Sequence, residues 1–74
     1  MKKKEMRPLT CLEPGEKGKV YTVKGGYKER LASLGIVPGA FVEVERKKPA
    51  YIIAAGYTRL ILEPAVADFI YVMA

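Results

Sequence analysis

Histidine and tryptophan are absent from the 74 residues, and cysteine occurs once, at Cys11. Without an imidazole there is no Ser/His or Cys/His pair to generate a nucleophile, and one sulfur alone cannot assemble an ordinary tetrahedral zinc site. A disulfide within the chain is excluded. A lone cysteine suits a reducing compartment, where it usually behaves as a small, inert hydrophobe. Long apolar runs are missing too: the longest weakly polar stretch, Ala50 to Tyr57, has eight residues, against about 20 for a membrane span. The basic start, Met1 to Arg7, leads into Pro8-Leu9-Thr10-Cys11 rather than into the apolar segment of a secretion signal. These absences lead to the expectation of a cytoplasmic protein without membrane insertion, with room for one small domain.

Charge is present but unevenly placed. The net charge is +5, and Lys2, Lys3, Lys4 and Arg7 against Glu5 supply +3 of it within the first seven residues. The chain is therefore divided into a flexible basic tail, residues 1–7, and one folded domain, residues 8–74. A nucleic-acid binder normally spreads its bases over a folded face, so no nucleic-acid partner is expected. No phosphate-cradling GxxxxGK[ST] or GxGxxG occurs. Gly15-Glu16-Lys17-Gly18 has the spacing of the GxxG loop of KH domains, but that loop joins two helices, and here it follows Pro14 and leads into a strand. It reads as a tight turn. Glu43 and Glu45 share a strand face and the other carboxylates are scattered, so neither a catalytic pair nor a metal site can be argued. Catalytic residues, metal ligands and cofactors are accordingly all read as none.

Glycine and proline punctuate the chain at Pro14-Gly15, Gly18, Gly25-Gly26, Gly35, Pro38-Gly39, Pro49, Gly56 and Pro64. The pieces between are short, β-branched and aromatic, which predicts a small barrel of about five strands. Val20 to Val23 and Phe41 to Glu45 read as strands. Tyr51 to Ala54 and Tyr57 to Leu62 read as a hairpin about Gly56, with Leu60 and Leu62 on the face opposite Arg59, Ile61 and Glu63. A single turn at Pro64 to Asp68 precedes a last strand, Phe69 to Val72. One segment departs from this pattern: Tyr27, Leu31 and Leu34 fall at i, i+4 and i+7, predicting two turns of helix between the first and second long strands. Gly35 stands at its left-handed cap, and Pro38-Gly39 supplies the turn into Phe41. The expected core is Leu9, Leu12, Val20, Val23, Leu31, Leu34, Ile36, Val42, Val44, Ile52, Leu60, Leu62, Ile70 and Val72. Tyr21, Tyr51, Tyr57 and Tyr71 are expected at strand seams, where a ring can be buried and its hydroxyl remain wet.

Two runs carry a family resemblance. Leu12-Glu13-Pro14-Gly15-Glu16-Lys17-Gly18-Lys19-Val20-Tyr21-Thr22-Val23 is followed by Arg30-Leu31-Ala32-Ser33-Leu34-Gly35-Ile36-Val37-Pro38-Gly39-Ala40-Phe41-Val42-Glu43-Val44. The pair resembles the FeoA family of ferrous iron transport accessory proteins, and the second run, of the form RLxxLGIxPGxxVEV, is the more specific. The resemblance implies an SH3-like β-barrel. It also implies a non-enzymatic accessory or regulatory role, through association with the cytoplasmic GTPase region of the FeoB transporter. The same barrel occurs in iron-dependent repressors, so fold alone does not fix the partner.

Two departures stand out. The loop at Lys47 to Tyr51 is shorter than is usual in the family, and Glu63-Pro64-Ala65-Val66-Ala67 makes a less polar edge, a candidate surface for a partner or for weak self-association. Tyr27 and Arg30 are the expected exposed partner-binding residues, while Gly15, Gly18, Leu31, Leu34, Gly35, Pro38 and Gly39 form the structural motif. The rival reading is a KOW-like RNA-binding barrel, which also opens on a glycine-rich turn and a basic strand, and would use Lys17, Lys19, Lys24 and Lys28.

Overall fold

The structure, a computed structural model, describes residues 6–73. Six strands form one antiparallel sheet in the order β1-β6-β2-β3-β4-β5. They are β1 (Met6–Pro8), β2 (Lys17–Val23), β3 (Phe41–Arg46), β4 (Tyr51–Ala55), β5 (Thr58–Leu62) and β6 (Ile70–Met73). Helix α1 (Lys28–Ala32) lies between β2 and β3, and the single turn α2 (Pro64–Ala67) between β5 and β6. The mainly β class and the inserted helix match the sequence reading; the strand count does not. Met6 and Arg7, which the charge pattern assigns to the tail, belong to β1, paired with Met73 and Val72 of β6. The remainder of the tail lies outside the described residues. Strands β1 and β5 are the two ends of the sheet and do not pair with one another, so the strand ladder does not close.

One apolar cluster holds the sheet and both helices together. Leu9, Leu12, Leu31, Ile36, Val44, Ile53, Ile70 and Val72 are its fully buried large side chains, and among the described residues no polar or charged residue is buried. A core this small supplies roughly 3 to 5 kcal/mol of net stability, so each member matters. A polar staple closes the end near α2: the Thr10 hydroxyl donates to Asp68 Oδ1 at 2.9 Å, and Lys47 Nζ donates to the Thr10 carbonyl at 3.1 Å.

Two expected core residues are misplaced by the sequence pattern, each for a local reason. Helix α1 ends at Ala32, short of the Leu34 that the i, i+4, i+7 pattern suggests. The Gly35 N–H donates to the Ala32 carbonyl at 3.0 Å and the Ile36 N–H to the Leu31 carbonyl at 2.9 Å, with Gly35 at φ 93°. This is the Schellman arrangement, in which a left-handed glycine reverses the chain and brings the next residue back against the helix. Ile36 therefore packs in the core beside Leu31, and Leu34 is turned outward to 43% exposure. In the hairpin, the two-residue turn Gly56-Tyr57 pairs Ala55 with Thr58, and hence Ile53 with Leu60 and Ile52 with Ile61. Gly56 carries a positive φ of 62° at the first turn position, as a II′ turn requires. Ile53 thus joins Leu60 on the core face, and Ile52 goes to the outer one.

Tyrosines are likewise mixed. Tyr51 is buried and Tyr71 half-buried, but Tyr21 is exposed on β2 and Tyr57 projects fully from the hairpin turn, outside any seam.

Candidate functional site: a groove between the helices and an edge strand

Helix α1 is short, and packing rather than length sets its orientation. Leu31 anchors it in the core, its N–H donating to the Tyr27 carbonyl at 2.9 Å. Anchoring one face leaves Arg30 on the opposite, solvent side. At the far end of the chain β5 runs directly into Glu63 and the proline-initiated turn α2, which turns Val66 toward α1. Between them lies a groove of about 150 Å³, lined by Arg30, Leu31, Leu34, Ile61, Leu62, Glu63 and Val66. Its floor is aliphatic and its rim carries one charge of each sign.

Leu34 and Ile61, 43% and 75% exposed, are the apolar groups that leave it uncovered. Strand β5 is also a sheet edge: among the described residues no strand pairs with its outer side.

The groove joins two stretches that are separate in sequence, the helix-to-turn segment and the apolar edge from Glu63 to Ala67. Of the two expected partner-binding residues, Arg30 lines it and is exposed. Tyr27 does not: it is half-buried against the core, its ring packed at a 34° tilt against that of Phe69 with centroids 5.4 Å apart. Tyr27 therefore belongs to the packing of α1, contrary to its reading as an exposed contact. Of the motif residues, Leu31 and Leu34 line the groove, while Gly35, Pro38 and Gly39 shape its approach. The turn from Val37 to Ala40 is tied to mid-β2 by the Gly39 N–H, which donates to the Val20 carbonyl at 2.8 Å. Gly15, at φ 93°, sits in the first turn as expected. Gly18 is instead inside β2, where an added Cβ would lie 3.0 Å from Val72 Cβ. Sequence reading misses Ile61 as a groove residue, although strand alternation already puts it on the face away from Leu60.

Chemically the groove offers contact area and two charges, with no reactive group held out of water. Among the described residues no buried side-chain nitrogen or oxygen lacks a partner, and no three His, Cys, Asp or Glu side chains converge. The one displaced titration among the described residues is that of Arg59. Its hydrogen bond to Glu45, 2.8 Å, and the attraction of that carboxylate raise its pKa above the usual arginine value. A raised basic pKa contributes stability below it and loses that contribution only at extreme alkaline pH. The pair therefore adds no step in stability across the neutral range. No helix among the described residues is long and apolar enough to cross a membrane.

Fold and groove together define a small β domain of the SH3-like class that presents an apolar groove with charged edges. The FeoA domain family matches residues 7–74, and the chain belongs to that family. An iron uptake regulatory protein FeoA is similar at 30% identity, covering 93% of this chain and 96% of that one, with a TM-score of 0.83. A zinc-complexed FeoA from Stenotrophomonas maltophilia, an SH3 domain protein put forward as a ferrous iron transport activating factor, shares 26% identity over 86% of each chain, TM-score 0.78. The IdeR of T. acidophilum has the same fold, TM-score 0.85 over all of this chain but 36% of its own, at 17% identity. No curated protein matches the chain.

Proposed function

We propose that this protein is a non-enzymatic, cytoplasmic accessory of ferrous iron uptake that binds the cytoplasmic GTPase region of an FeoB-type transporter through the groove between α1 and β5–α2. The observation that carries the reading is the FeoA match over residues 7–74. The groove supplies the physical means. An opening of about 150 Å³ accepts one large apolar side chain, and buried apolar anchors of that kind dominate the energy of protein interfaces. Arg30 and Glu63 flank the aliphatic floor, and a partner seated in the groove would cover both, so they set register and contribute to affinity.

Arg30→Ala separates binding from folding. Arg30 is exposed, so the melting temperature of the variant stays at the wild-type value, while affinity for the transporter region falls about 10-fold, as is common for an arginine that a partner covers. Wild-type affinity in Arg30→Ala means that the contact lies on another face.

A further inference from the structure

Strand β5 ends the sheet on a row of backbone groups with no partner. The two-residue turn makes Ala55 and Thr58 the hydrogen-bonded pair that closes the hairpin, and bonded and unbonded pairs then alternate along the register. Thr58, Leu60 and Leu62 therefore turn their N–H and C=O toward β4, while Arg59 and Ile61 turn theirs outward. Among the described residues these outward groups and the Glu63 N–H have no backbone partner. The two ends of the sheet meet this exposure differently. β1 carries Arg7 and closes on Pro8, which has no N–H to offer. β5 has neither proline nor lysine, its one charge is held by Glu45, and it pairs with β4 without the register shifts found in β2–β6 and β3–β4. It is a regular, unprotected edge, the form that takes up another strand.

The side chains along this edge complement themselves. Arg59, Ile61 and Glu63 alternate onto the outer face and are all exposed, Ile61 to 75%. Glu45 takes the Arg59 Nε at 2.8 Å, and the two terminal nitrogens of the guanidinium fork remain for a second carboxylate. Among the described residues Glu63 enters no ion pair. Rotated by a two-fold axis at Ile61, a second β5 runs antiparallel to the first with Ile61 opposite Ile61, and Arg59 of each copy opposite Glu63 of the other. An axis at Arg59 would oppose like charges, and one at Leu60 would set Arg59 against Ile61, so charge selects the axis at Ile61. Ile61 and Leu62, from opposite faces of β5, both line the groove, so a gap separates α1 from this edge.

We propose that the protein associates with a second copy of itself by antiparallel pairing of β5 with β5, centred on Ile61 and flanked by two Arg59–Glu63 ion pairs. The two-fold arrangement closes on itself and consumes both edges. One pair of five-residue strands covers less than the roughly 1,200 Å² of a stable interface, so the dimer is weak and reversible. Ile61 and Glu63 also line the groove, so the dimer and a groove-bound partner exclude one another.

The test is sedimentation equilibrium of the full chain from about 10 μM to about 1 mM, a range that brackets weak association. Reducing conditions keep the exposed Cys11 from linking two copies. The proposal expects a monomer–dimer equilibrium, with amide hydrogen exchange at Arg59 and Ile61 slowing as the dimer fills. Ile61→Pro removes the outward N–H at the centre and no bond to β4, a place where an edge strand tolerates proline, and it should be monomeric throughout. Glu63→Arg opposes like charges twice and should weaken the dimer about 10-fold or more. Arg59→Glu/Glu63→Arg makes the opposed charges unlike again and should recover it. These positions are exposed, and melting of each variant at the lowest concentration confirms that it folds. A monomer at every wild-type concentration overturns the proposal and leaves the edge to the strand of a different protein. A dimer that Glu63→Arg does not weaken, or one that leaves exchange at Arg59 and Ile61 unchanged, also overturns it and puts the contact on another face. The measurement needs this protein alone, so its failure leaves the transporter reading intact, and failure of the transporter reading leaves the dimer intact.

Discussion

Leu31→Ala lowers the unfolding free energy by about 2 to 5 kcal/mol, the range for removing a fully buried leucine and leaving its cavity. Leu31 is 1% exposed and fastens α1 to the core, and its carbonyl accepts the Ile36 N–H that closes the helix. A chain of this size has only about 3 to 5 kcal/mol to lose, so much of the variant population is unfolded at room temperature. Leu34→Ala is the internal control: with 43% of Leu34 already exposed, the loss is under about 1 kcal/mol, as for surface substitutions generally. Urea denaturation of the two variants reads both. Equal losses would mean that the helix continues through Leu34 and that the Gly35 reversal is wrong.

Gly25→Ala has an expected effect of the same order, about 2 to 5 kcal/mol, because backbone strain and a steric overlap coincide. Gly25 has φ 74°, where an L side chain is strained by about 1 to 2 kcal/mol. Its added Cβ would also fall 2.7 Å from the Phe69 ring, and relieving such an overlap costs about 1 to 3 kcal/mol. That ring packs against Tyr27, so displacing it loosens the start of α1 as well. Gly26→Ala separates the two costs. Gly26 has φ 80°, but no atom lies within 4 Å of the place its added methyl would take, so only the backbone strain of about 1 to 2 kcal/mol applies. A thermal melt in which Gly26→Ala is as damaging as Gly25→Ala would exclude the ring contact as a cause.

Local signals in the sequence are sufficient wherever one residue type decides the backbone. Gly35, Pro38-Gly39 and Gly56 each read as the turn they make, and the alternation of Leu60 and Leu62 against Arg59, Ile61 and Glu63 gives the burial observed in β5. What escapes a local reading is the consequence of those turns for neighbouring side chains. A helical count assigns Leu34 to the core until the reversal at Gly35 hands its place to Ile36. The pair Ile52 and Ile53 cannot be told apart by hydrophobicity, and only the two-residue length of the turn chooses between them.

Long-range effects are less legible still. Met6 and Arg7 read as part of a basic tail, since nothing within them favours a strand; β6 supplies the partner that makes them one. Tyr27 looks exposed in the sequence because Phe69, far along the chain, is what covers it. The groove follows the same logic. One wall is visible as a helix-to-turn segment and the other as an apolar edge, but Leu34 and Ile61 stand far apart in the chain. Only packing of both on the shared core brings them together.

The measurement that tests the central claim most directly is a calorimetric titration of the protein into the soluble GTPase region of its own organism's FeoB-type transporter, with and without a GTP analogue, repeated with Arg30→Ala. The account predicts saturable heat with the wild type and an affinity about 10-fold lower for the variant, with identical melting curves for the two proteins. Absence of heat in every nucleotide state, or equal affinity for wild type and Arg30→Ala, would contradict it.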